Sequence, residues 1–388
     1  MKDSSENTAK STDGAYRAAR ERVETAFAAP PGSPEAHVVV PTSGSTGEPR
    51  RVTISAAALR ASGTATAARL GGDAAWLLAL PTTHVAGLQV VARSVLAGTE
   101  PVVLDLDAGF RGAALAEAAA RLRAPRRYTS LVPTQVHRLL VEARAGSPAG
   151  LEALAGFDAV LLGGAATPPP VLEELRGAGV RVVTTYGMSE TAGGCVYDGL
   201  PLDGVQVRTV GGRVQLSGPV LADGYVDDDA ATAAAFVTEP GDAAAPTRWF
   251  RTNDLGELAD DGRLTVLGRA DDVLITGGVN VAPAAVEAVL AGLDGLGEVC
   301  VVGLPDPEWG QVVVAVVTVG PGSPDVSEDT LLSRVRAHVT DTLGAPAAPR
   351  HVVVTDVLAL RGPGKVDRRA VALLAARRLG RPTSTSER

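Results

Sequence analysis

Short apolar runs alternate with alanine-rich polar stretches through the first half of the chain. The runs have the length and β-branched content of buried strands, and several end in turns rich in Thr, Ser or Gly. The predicted strands are HVVVP (37–41), WLLALP (76–81), PVVLDL (101–106), YTSLVP (128–133), AVLLGG (159–164) and RVVTTYG (181–187). Amphipathic spacing predicts helices between them at Arg111–Arg123, Thr134–Arg144 and Pro170–Gly177. Strands alternating with helices predict a mostly parallel α/β sheet that binds ligands beyond the carboxyl ends of its strands.

The pattern changes after Val205, where shorter strands and Gly/Asp turns with little helix extend to Leu267. The compact polar segment Gly268–Asp272 then interrupts the chain. Beyond it, the pattern predicts a helix from about Pro283, strands at Glu298–Val302 and Val312–Val319, and a helix at Leu331–Leu343. We therefore predict a large α/β domain with a short β-rich part (1–267), joined by a hinge at 268–272 to a smaller α+β domain (268–388). Residues 1 to about 15 are expected to form a solvated tail, followed by a helix to Ala29.

Composition excludes several classes of protein. The formal charge of −8 disfavours a nucleic-acid-binding surface. Two cysteines, Cys195 and Cys300, are too few for a disulfide framework, and the five scattered histidines disfavour a histidine-built metal site. The polar amino terminus is unlike a signal peptide, and the longest apolar run, Val312–Val317, is too short to span a membrane. We expect a soluble cytoplasmic protein, monomer or homodimer, that binds neither nucleic acid nor membrane.

A loop rich in hydroxyls and glycines follows the first predicted strand. Its backbone N–H groups and hydroxyls can wrap the oxygens of a polyphosphate, although a mobile surface loop has the same composition. It is not a Walker A loop, because no Gly-Lys-Ser/Thr follows. The candidate phosphate-binding residues are Thr42, Ser43, Gly44, Ser45, Thr46, Gly47 and Arg50.

Later segments place charged or hydroxyl groups at strand ends and turns. In Tyr186-Gly187-Met188-Ser189-Glu190-Thr191, a hydroxyl beside a carboxylate suits phosphate contact and Mg²⁺ coordination, but a tight turn is the simpler reading. Asp254 resembles an ordinary turn residue, and Arg269 with Asp271 resembles an exposed ion pair. Lys365 lies between a Gly-Pro-Gly turn and a predicted helix, where a lysine is ordinarily a solvated side chain, and it is the only lysine outside the expected tail, because the others are Lys2 and Lys10. Each segment alone is a weak signal.

Together and in this order, from about Val38 to Arg369, the segments resemble the core motifs of the adenylate-forming superfamily, which includes acyl-CoA synthetases. The resemblance implies ATP, Mg²⁺ and coenzyme A as substrates or cosubstrates, no prosthetic group, and no protein nucleophile. It implies phosphate contact by Ser189, Mg²⁺ coordination by Glu190 and a catalytic role for Lys365. For the nucleotide it implies Gly163, Gly164, Ala165, Tyr186 (stacked on adenine), Gly187, Met188, Asp254 and Arg269 (on the ribose), with Asp271 as the hinge pivot.

The chain departs from the family pattern in three places. Arg50 stands where the family usually has lysine, and Asn253 stands where it usually has glycine. The segment before the phosphate loop is also shorter than in full-length relatives.

Three stretches resemble o-succinylbenzoate–CoA ligases of menaquinone biosynthesis more than fatty-acid or acetate enzymes: 87–94, 130–135 and 193–199. His84 resembles the residue that lines the acyl channel, although a core histidine remains an alternative. Arg93 and Thr134 are candidates to hold the unreactive aryl carboxylate, with a surface helix arginine as the alternative for Arg93. Gly193 and Gly194 would let the backbone approach a flat ring.

Other functions remain open at this point. The chain could activate a different aryl or acyl acid, load a carrier protein, or bind nucleotide without catalysis.

Overall fold

The computed structural model describes residues 11–42, 50–240, 246–319, 327–362 and 364–382. The chain divides into two compact units. Unit 1 comprises Met1–Thr167, Glu174–Thr252 and Glu257–Thr265. Unit 2 comprises Pro168–Glu173, Asn253–Gly256 and Val266–Arg388.

The helices of the described residues are α1 Thr12–Ala28, α2 Ala56–Leu70, α3 Val85–Leu96, α4 Gly112–Arg121, α5 Pro133–Arg144, α6 Ala149–Ala155, α7 Pro169–Gly177, α8 Asp229–Ala235, α9 Pro283–Leu290, α10 Glu328–Leu343 and α11 Arg368–Leu379. The strands are β1 His37–Pro41, β2 Arg51–Ser55, β3 Ala75–Leu78, β4 Val102–Val103, β5 Arg127–Leu131, β6 Ala159–Gly163, β7 Val182–Met188, β8 Gly193–Tyr197, β9 Leu200–Pro201, β10 Gln206–Val210, β11 Arg213–Ser217, β12 Gly224–Tyr225, β13 Phe236–Glu239, β14 Thr247–Leu258, β15 Leu264–Arg269, β16 Leu274–Thr276, β17 Val279–Val281, β18 Leu296–Asp306, β19 Gly310–Val319, β20 His351–Val354, β21 Leu360–Arg361 and β22 Lys365–Val366.

The largest sheet of unit 1 has the strand order β4-β3-β5-β6-β7-β8-β9. The pairs from β4 to β7 are parallel, whereas β8 and β9 are antiparallel to their neighbours. The predicted mostly parallel α/β architecture is confirmed. Since parallel strands run the same way, the chain leaves β3, β5, β6 and β7 at one edge of the sheet.

Most of two further, mainly antiparallel sheets also belongs to unit 1, although Asn253–Gly256 of β14 and the end of β15 from Val266 belong to unit 2. Strands β1, β2 and β12 form one sheet, and β10, β11, β14 and β13 form the other, with β15 paired to β14. Among its described residues, the part between Val205 and Leu267 contains strands and a single seven-residue helix, α8, although β14, with 12 residues, is longer than the short strands expected there. The predicted β-rich texture after Val205 is therefore confirmed.

Helix α1 begins earlier than expected, at Thr12 inside the predicted tail. Ser11 caps it by accepting a hydrogen bond from Gly14 N, and Thr12 Oγ1 donates to Asp107 Oδ1 over 2.6 Å. Ala19, Val23 and Ala26 are fully buried on one face of the helix. The apolar face of α1 is difficult to recognise in the sequence, because the alanines that form much of it are small and only weakly apolar.

Unit 2 is built on β17-β16-β19-β18, with β20 parallel to β19. The side chains of β19 alternate between two cores. Val313, Ala315 and Val317 pack with residues of α9 and α10, whereas Val312, Val314 and Val316 pack with residues of α11. The continuous apolar run of the sequence is therefore a strand buried on both faces. Among the described residues, no helix combines the length and apolarity that a membrane crossing requires.

We predict that Gly87→Ala destabilises unit 1 by about 1–3 kcal/mol, as expected for overpacking. A Cβ at Gly87 would lie 2.3 Å from Pro81 O and 2.7 Å from Pro81 C, both backbone atoms that cannot rotate away. Gly177→Ala is the matched control, because that helical glycine has open space around it. Urea unfolding measures both variants, and equal midpoints would contradict the close approach of α3 to the 80–81 backbone.

Candidate active site

The edge at which the parallel strands end gathers predicted site residues of unit 1. His84 is the N-cap residue of α3, in the connection that follows β3, and Thr134 lies in the first turn of α5 after β5. Gly163 is the last residue of β6 and is followed by Gly164 and Ala165, and Tyr186–Glu190 span the end of β7. The strand order places these segments side by side as β3, β5, β6 and β7. Residues far apart in sequence thus meet at the position where α/β sheets bind ligands.

The candidate phosphate loop connects β1 to β2. These strands pair antiparallel with Pro41 opposite Arg51, and Thr42 and Arg50 close the loop with two hydrogen bonds. Thr42 N donates to Arg50 O over 2.6 Å, and Arg50 N donates to Thr42 Oγ1 over 3.1 Å. The predicted residues between them, Ser43, Gly44, Ser45, Thr46 and Gly47, lie outside the described residues.

Glu190 lies on a single 3₁₀ turn, Ser189–Thr191, directly after β7. Met188 N donates to Thr191 Oγ1 over 3.0 Å, and Ala222 N donates to Glu190 O over 2.9 Å, so the turn is fixed at both sides. Gly187 is required here, because a Cβ would lie 2.2 Å from Gly193 O on the paired strand β8.

Tyr225 joins two of the predicted segments, although the sequence did not identify it. Its hydroxyl donates to Glu190 Oε1 over 2.9 Å, and Arg50 Cζ lies 5.1 Å from its ring centroid. Arg50 Nε is also 3.9 Å from Asp228 Oδ2. Burial and the charge of Glu190 raise the pKa of Tyr225, so the phenol remains a donor. The guanidinium of Arg50, in place of the usual lysine, is therefore held beside an aromatic face.

Two further glycines mark close approaches at the strand ends. A Cβ at Gly163 would lie 2.2 Å from Thr185 Oγ1 on the neighbouring strand. Gly164 has a φ of +88°, a backbone conformation that other residues adopt at a cost. Gly163 is partly exposed, and Gly164 and Ala165 are exposed. An exposed, glycine-lined strand end suits the flat contact with a nucleotide that the resemblance implies.

Arg93 is buried, with 7% of its surface exposed, so the alternative of a surface helix arginine is wrong. Arg93 Nη2 donates to Tyr197 Oη over 3.2 Å, and Cζ lies 5.2 Å from the ring centroid of Trp76. Its Nε is buried without a hydrogen-bond partner among the described residues, and no ion pair of Arg93 occurs among them. A buried cation with so few partners is costly, and an anionic ligand would relieve that cost.

Helix α3 also fixes the turn that precedes β8. Gln89 Nε2 donates to the carbonyl of Ala192 over 2.5 Å, and Ala192 adopts a left-handed φ of 50°. The next residue, Gly193, has a φ of +102°, and a Cβ there would lie 3.2 Å from Gln89 Cγ. Gly194 follows in β8, close to Thr185. Gln89 is buried and lies one helical turn before Arg93 on α3, so the same helix contacts Gly193, a predicted acyl-pocket residue, and carries Arg93.

Three of the predicted residues in unit 2 lie together. Arg269 forms a bidentate ion pair with Asp271, with Nε–Oδ1 and Nη2–Oδ2 distances of 2.8 and 2.7 Å. Arg269 Nη1 is 4.0 Å from Oδ1 of Asp254 on β14. Ala270 N donates to Asn253 O over 2.8 Å, which ties the predicted hinge segment to β14. The two candidate ribose ligands and the candidate pivot thus form one polar cluster.

Lys365 is the first residue of β22, which pairs with β21 in a hairpin that places Arg361 opposite Lys365. The side chain is partly exposed. Cys195 and Cys300 are buried, and burial raises the pKa of each thiol to about 12. Neither cysteine is therefore ionised near neutral pH as a nucleophile would be.

Comparisons with known proteins agree with this geometry. The model of the AMP-binding enzyme family matches residues 2–227, and that of the AMP-binding enzyme C-terminal domain matches residues 285–365. The probable 2-succinylbenzoate–CoA ligase of Mycobacterium tuberculosis H37Rv is 49% identical over 337 residues, which cover 86% of this chain and 83% of that protein. The 2-succinylbenzoate–CoA ligase of Listeria monocytogenes is 30% identical, covering 85% of this chain and 68% of that protein.

The chain is also similar to solved structures of o-succinylbenzoate CoA synthetases. The o-succinylbenzoate CoA synthetase (MenE) of Bacillus subtilis, in complex with the acyl-adenylate intermediate OSB-AMP, superposes with a TM-score of 0.70 at 28% identity. The match covers 86% of this chain and 68% of that chain.

We predict that Tyr225 and Glu190 are coupled by about 1.5–3 kcal/mol, the range for a hydrogen bond to a charged acceptor. Tyr225→Phe, Glu190→Leu and the double variant form the cycle, measured as free energies of unfolding in urea. The matched control pairs Glu190→Leu with Tyr128→Phe, because Tyr128 Oη donates elsewhere, to Leu70 O over 2.5 Å. Additive effects in the Tyr225 cycle would contradict the hydrogen bond.

Proposed function

We propose that this chain, which belongs to the family of AMP-binding enzymes, is an ATP-dependent ligase that joins 2-succinylbenzoate (o-succinylbenzoate) to coenzyme A. The aliphatic carboxylate attacks the α-phosphorus of ATP, pyrophosphate leaves, and an acyl-adenylate forms. The thiol of coenzyme A then attacks the acyl carbon, loses its proton, and displaces AMP. The product is the CoA thioester that menaquinone biosynthesis requires.

The observation that carries the choice of substrate is the buried guanidinium of Arg93. The chain gives it a tyrosine hydroxyl and an indole face, but no carboxylate among the described residues. 2-Succinylbenzoate carries an aryl carboxylate that does not react. That group would supply the missing negative charge and accept hydrogen bonds from the guanidinium. Thr134, Gly193 and Gly194 would line the same acid, and His84 would line the channel in which its reacting carboxylate lies.

In the first half-reaction, the protein positions ATP and balances charge on its phosphates. We assign phosphate binding to Ser189 and to the loop closed by Thr42 and Arg50, and contact with the α-phosphate to Lys365. The remaining nucleotide contacts are assigned to Gly163, Gly164, Ala165, Tyr186, Gly187, Met188, Asp254 and Arg269. A nucleophilic cysteine needs a lowered pKa, whereas burial raises the pKa of both thiols. We therefore propose that the substrate carboxylate attacks ATP without a covalent intermediate on the protein.

Glu190 fits a magnesium ion that arrives with ATP. Mg²⁺ keeps several waters and binds through one or two carboxylates plus substrate phosphates. The described residues contain no group of three side chains that would form a protein-only metal site, and Glu190 is a single carboxylate oriented by Tyr225. When bound, the ion would neutralise charge on the phosphates as pyrophosphate leaves.

We propose that residues 1–267 form the adenylation domain and residues 268–388 a mobile domain that turns about Asp271 between the half-reactions. The last segment of unit 1 ends at Thr265 and unit 2 continues from Val266, close to the proposed boundary at 267–268. A turn about Asp271 would withdraw Lys365 after adenylation and present another face to coenzyme A. We place the reaction in the cytoplasm, where ATP and coenzyme A are available.

A panel of acids tests the proposal directly. Pyrophosphate release is measured with 2-succinylbenzoate, benzoate, short-chain acids and long-chain acids, with and without coenzyme A. We expect release with 2-succinylbenzoate and conversion to its CoA thioester. Equal rates with another acid would mean a different acyl-CoA ligase, and adenylate formation without transfer to coenzyme A would favour a carrier-protein loader.

We predict that Lys365→Ala slows adenylate formation by about 100-fold or more, the scale for losing a donor at a developing charge. Thioester formation from preformed acyl-adenylate should change much less, because Lys365 has no role in that step. Single-turnover kinetics of the two half-reactions measures both. Equal loss in both would contradict the role assigned to Lys365.

We predict that 2-succinylbenzoate is preferred over 4-oxo-4-phenylbutyrate, which lacks the aryl carboxylate, by at least about 100-fold in kcat/KM. Arg93→Leu should raise the KM for 2-succinylbenzoate, leave the KM for ATP unchanged, and bring the two acids close to equal. Arg208→Leu is the matched control, because Arg208 also stacks on a tryptophan, with Cζ 4.0 Å from the Trp249 ring centroid. Unchanged acid selectivity in Arg93→Leu would contradict the substrate assignment.

A further inference from the structure

We propose that Arg368 is a positioning residue, which holds the Lys365 hairpin where adenylate formation needs it. This inference rests on the proposed function, because it takes Lys365 as the cation that meets the α-phosphate. Arg368 and all the residues that its guanidinium is shown below to contact belong to unit 2.

The hairpin that carries Lys365 is too small to hold its own shape. Strands β21 and β22 have two residues each. Gly362 and Gly364 in the turn have φ values of +55° and +75°. An isolated two-stranded hairpin is marginal even when it is longer. The chain on either side of the hairpin therefore helps to set the position of Lys365.

Helix α11 begins three residues after Lys365, and only Asp367 separates it from the hairpin. Asp367 N donates to Ala359 O over 2.7 Å, which closes the base of the hairpin. Asp367 Oδ1 accepts from Ala370 N over 3.1 Å and caps the helix. Arg368 is the first residue of α11. Whatever fixes the side chain of Arg368 also fixes the end of the Lys365 hairpin.

The guanidinium of Arg368 contacts three separate segments of unit 2. It forms a bidentate ion pair with Glu287 on α9, in which Nη2 is 3.2 Å from Oε2 and Nη1 donates to Oε1. Nη1 also donates to Val301 O on β18 over 2.6 Å, and Nε is 3.5 Å from Oδ2 of Asp272. Only the planar fork of an arginine offers donors in all three directions, and a lysine would keep one or two of them.

The partners of Arg368 are themselves held in place. Glu287 Oε1 accepts from Val301 N over 2.7 Å, so the carboxylate bridges α9, β18 and α11. Burial alone would lower the pKa of Arg368, but the charge of Glu287 and the hydrogen bonds to it raise the pKa above its usual value. Asp272 follows the predicted pivot Asp271, so the same guanidinium connects the hinge segment to the helix that follows the Lys365 hairpin.

Loss of Arg368 should move Lys365 without unfolding the domain. Val371 and Ala375 of α11 are fully buried against the sheet, so the helix stays docked through its apolar face. The ion pair is partly exposed, at 32% for Arg368 and 21% for Glu287, which limits its contribution to stability. A displacement of about 1 Å at a catalytic group can nevertheless cost about 100-fold in rate.

The experiment measures both half-reactions in single turnovers, with Lys365→Ala as the reference. Arg368→Gln should slow adenylate formation by about 100-fold, the cost of a misplaced group. The same variant should leave thioester formation from preformed acyl-adenylate within about threefold of the unmodified chain, because Lys365 does not act in that step. Arg368→Lys should recover part of the lost rate. Arg377→Gln is the matched control, because Arg377 is exposed in the last turn of the same helix.

Guanidinium ion provides a readout that a general loss of structure would not give. In Arg368→Ala, low millimolar guanidinium should occupy the vacated position beside Glu287 and restore adenylate formation in part. It should not restore Lys365→Ala, which still lacks the reacting cation. Circular dichroism and thermal denaturation establish that each variant is folded.

The outcomes separate this inference from the proposed function. If Lys365→Ala loses both half-reactions equally, the role of Lys365 in the proposed function is wrong. If Lys365→Ala is selective but Arg368→Gln is fully active, or slows both half-reactions equally, Arg368 does not position Lys365. The inference would also be overturned if Arg368→Ala is folded, does not slow adenylate formation selectively, and is not rescued by guanidinium.

Discussion

The parallel pairing of β3, β5, β6 and β7 is the constraint on which the site in unit 1 depends. Backbone hydrogen bonds fix the register of these strands, and their common direction brings four strand ends to one edge. The antiparallel strand β8 then returns from that edge, with Gly193 opposite Met188. The turn that carries Glu190 and the glycines that precede Tyr197 are therefore neighbours for a backbone reason. Side chains supply the chemistry, but the sheet decides where they meet.

Two arginines, the buried Arg93 and the partly exposed Arg368, show how the chain treats positive charge. Arg368 finds its counter-charges inside the protein, in Glu287 and Asp272, together with the carbonyl of Val301. Arg93 finds a phenol and an indole face, and its Nε has no hydrogen-bond partner among the described residues. Burial of a charge is tolerated where partners complete it. Arg368 thus has its counter-charges within the protein and can serve a structural role, whereas Arg93 is suited to bind an anionic group of the substrate.

Hydrophobic periodicity and composition predicted the α/β class, the parallel strands of the largest sheet and the strand-end location of the candidate site residues. They could do so because buried parallel strands are continuous apolar runs and because strand ends are marked by Gly, Ser and Thr. They did not reveal α2 and α3 as elements, since alanine and glycine weaken the helical pattern. Nor did they reveal the contacts of Tyr225 with Glu190 or of Arg368 with Glu287, which join residues 35 and 81 positions apart. Such pairs follow from tertiary packing, on which local sequence carries no information.

In the proposed reaction, a carboxylate oxygen of 2-succinylbenzoate attacks the α-phosphorus of ATP. The most direct measurement uses 2-succinylbenzoate labelled with ¹⁸O in its aliphatic carboxylate, together with ATP and coenzyme A. One labelled oxygen should pass into each AMP, because the acyl carbon–oxygen bond breaks when the thiol attacks, and pyrophosphate should remain unlabelled. Mass spectrometry of the two products reads this outcome. Unlabelled AMP, or ADP with labelled phosphate, would contradict the adenylate route.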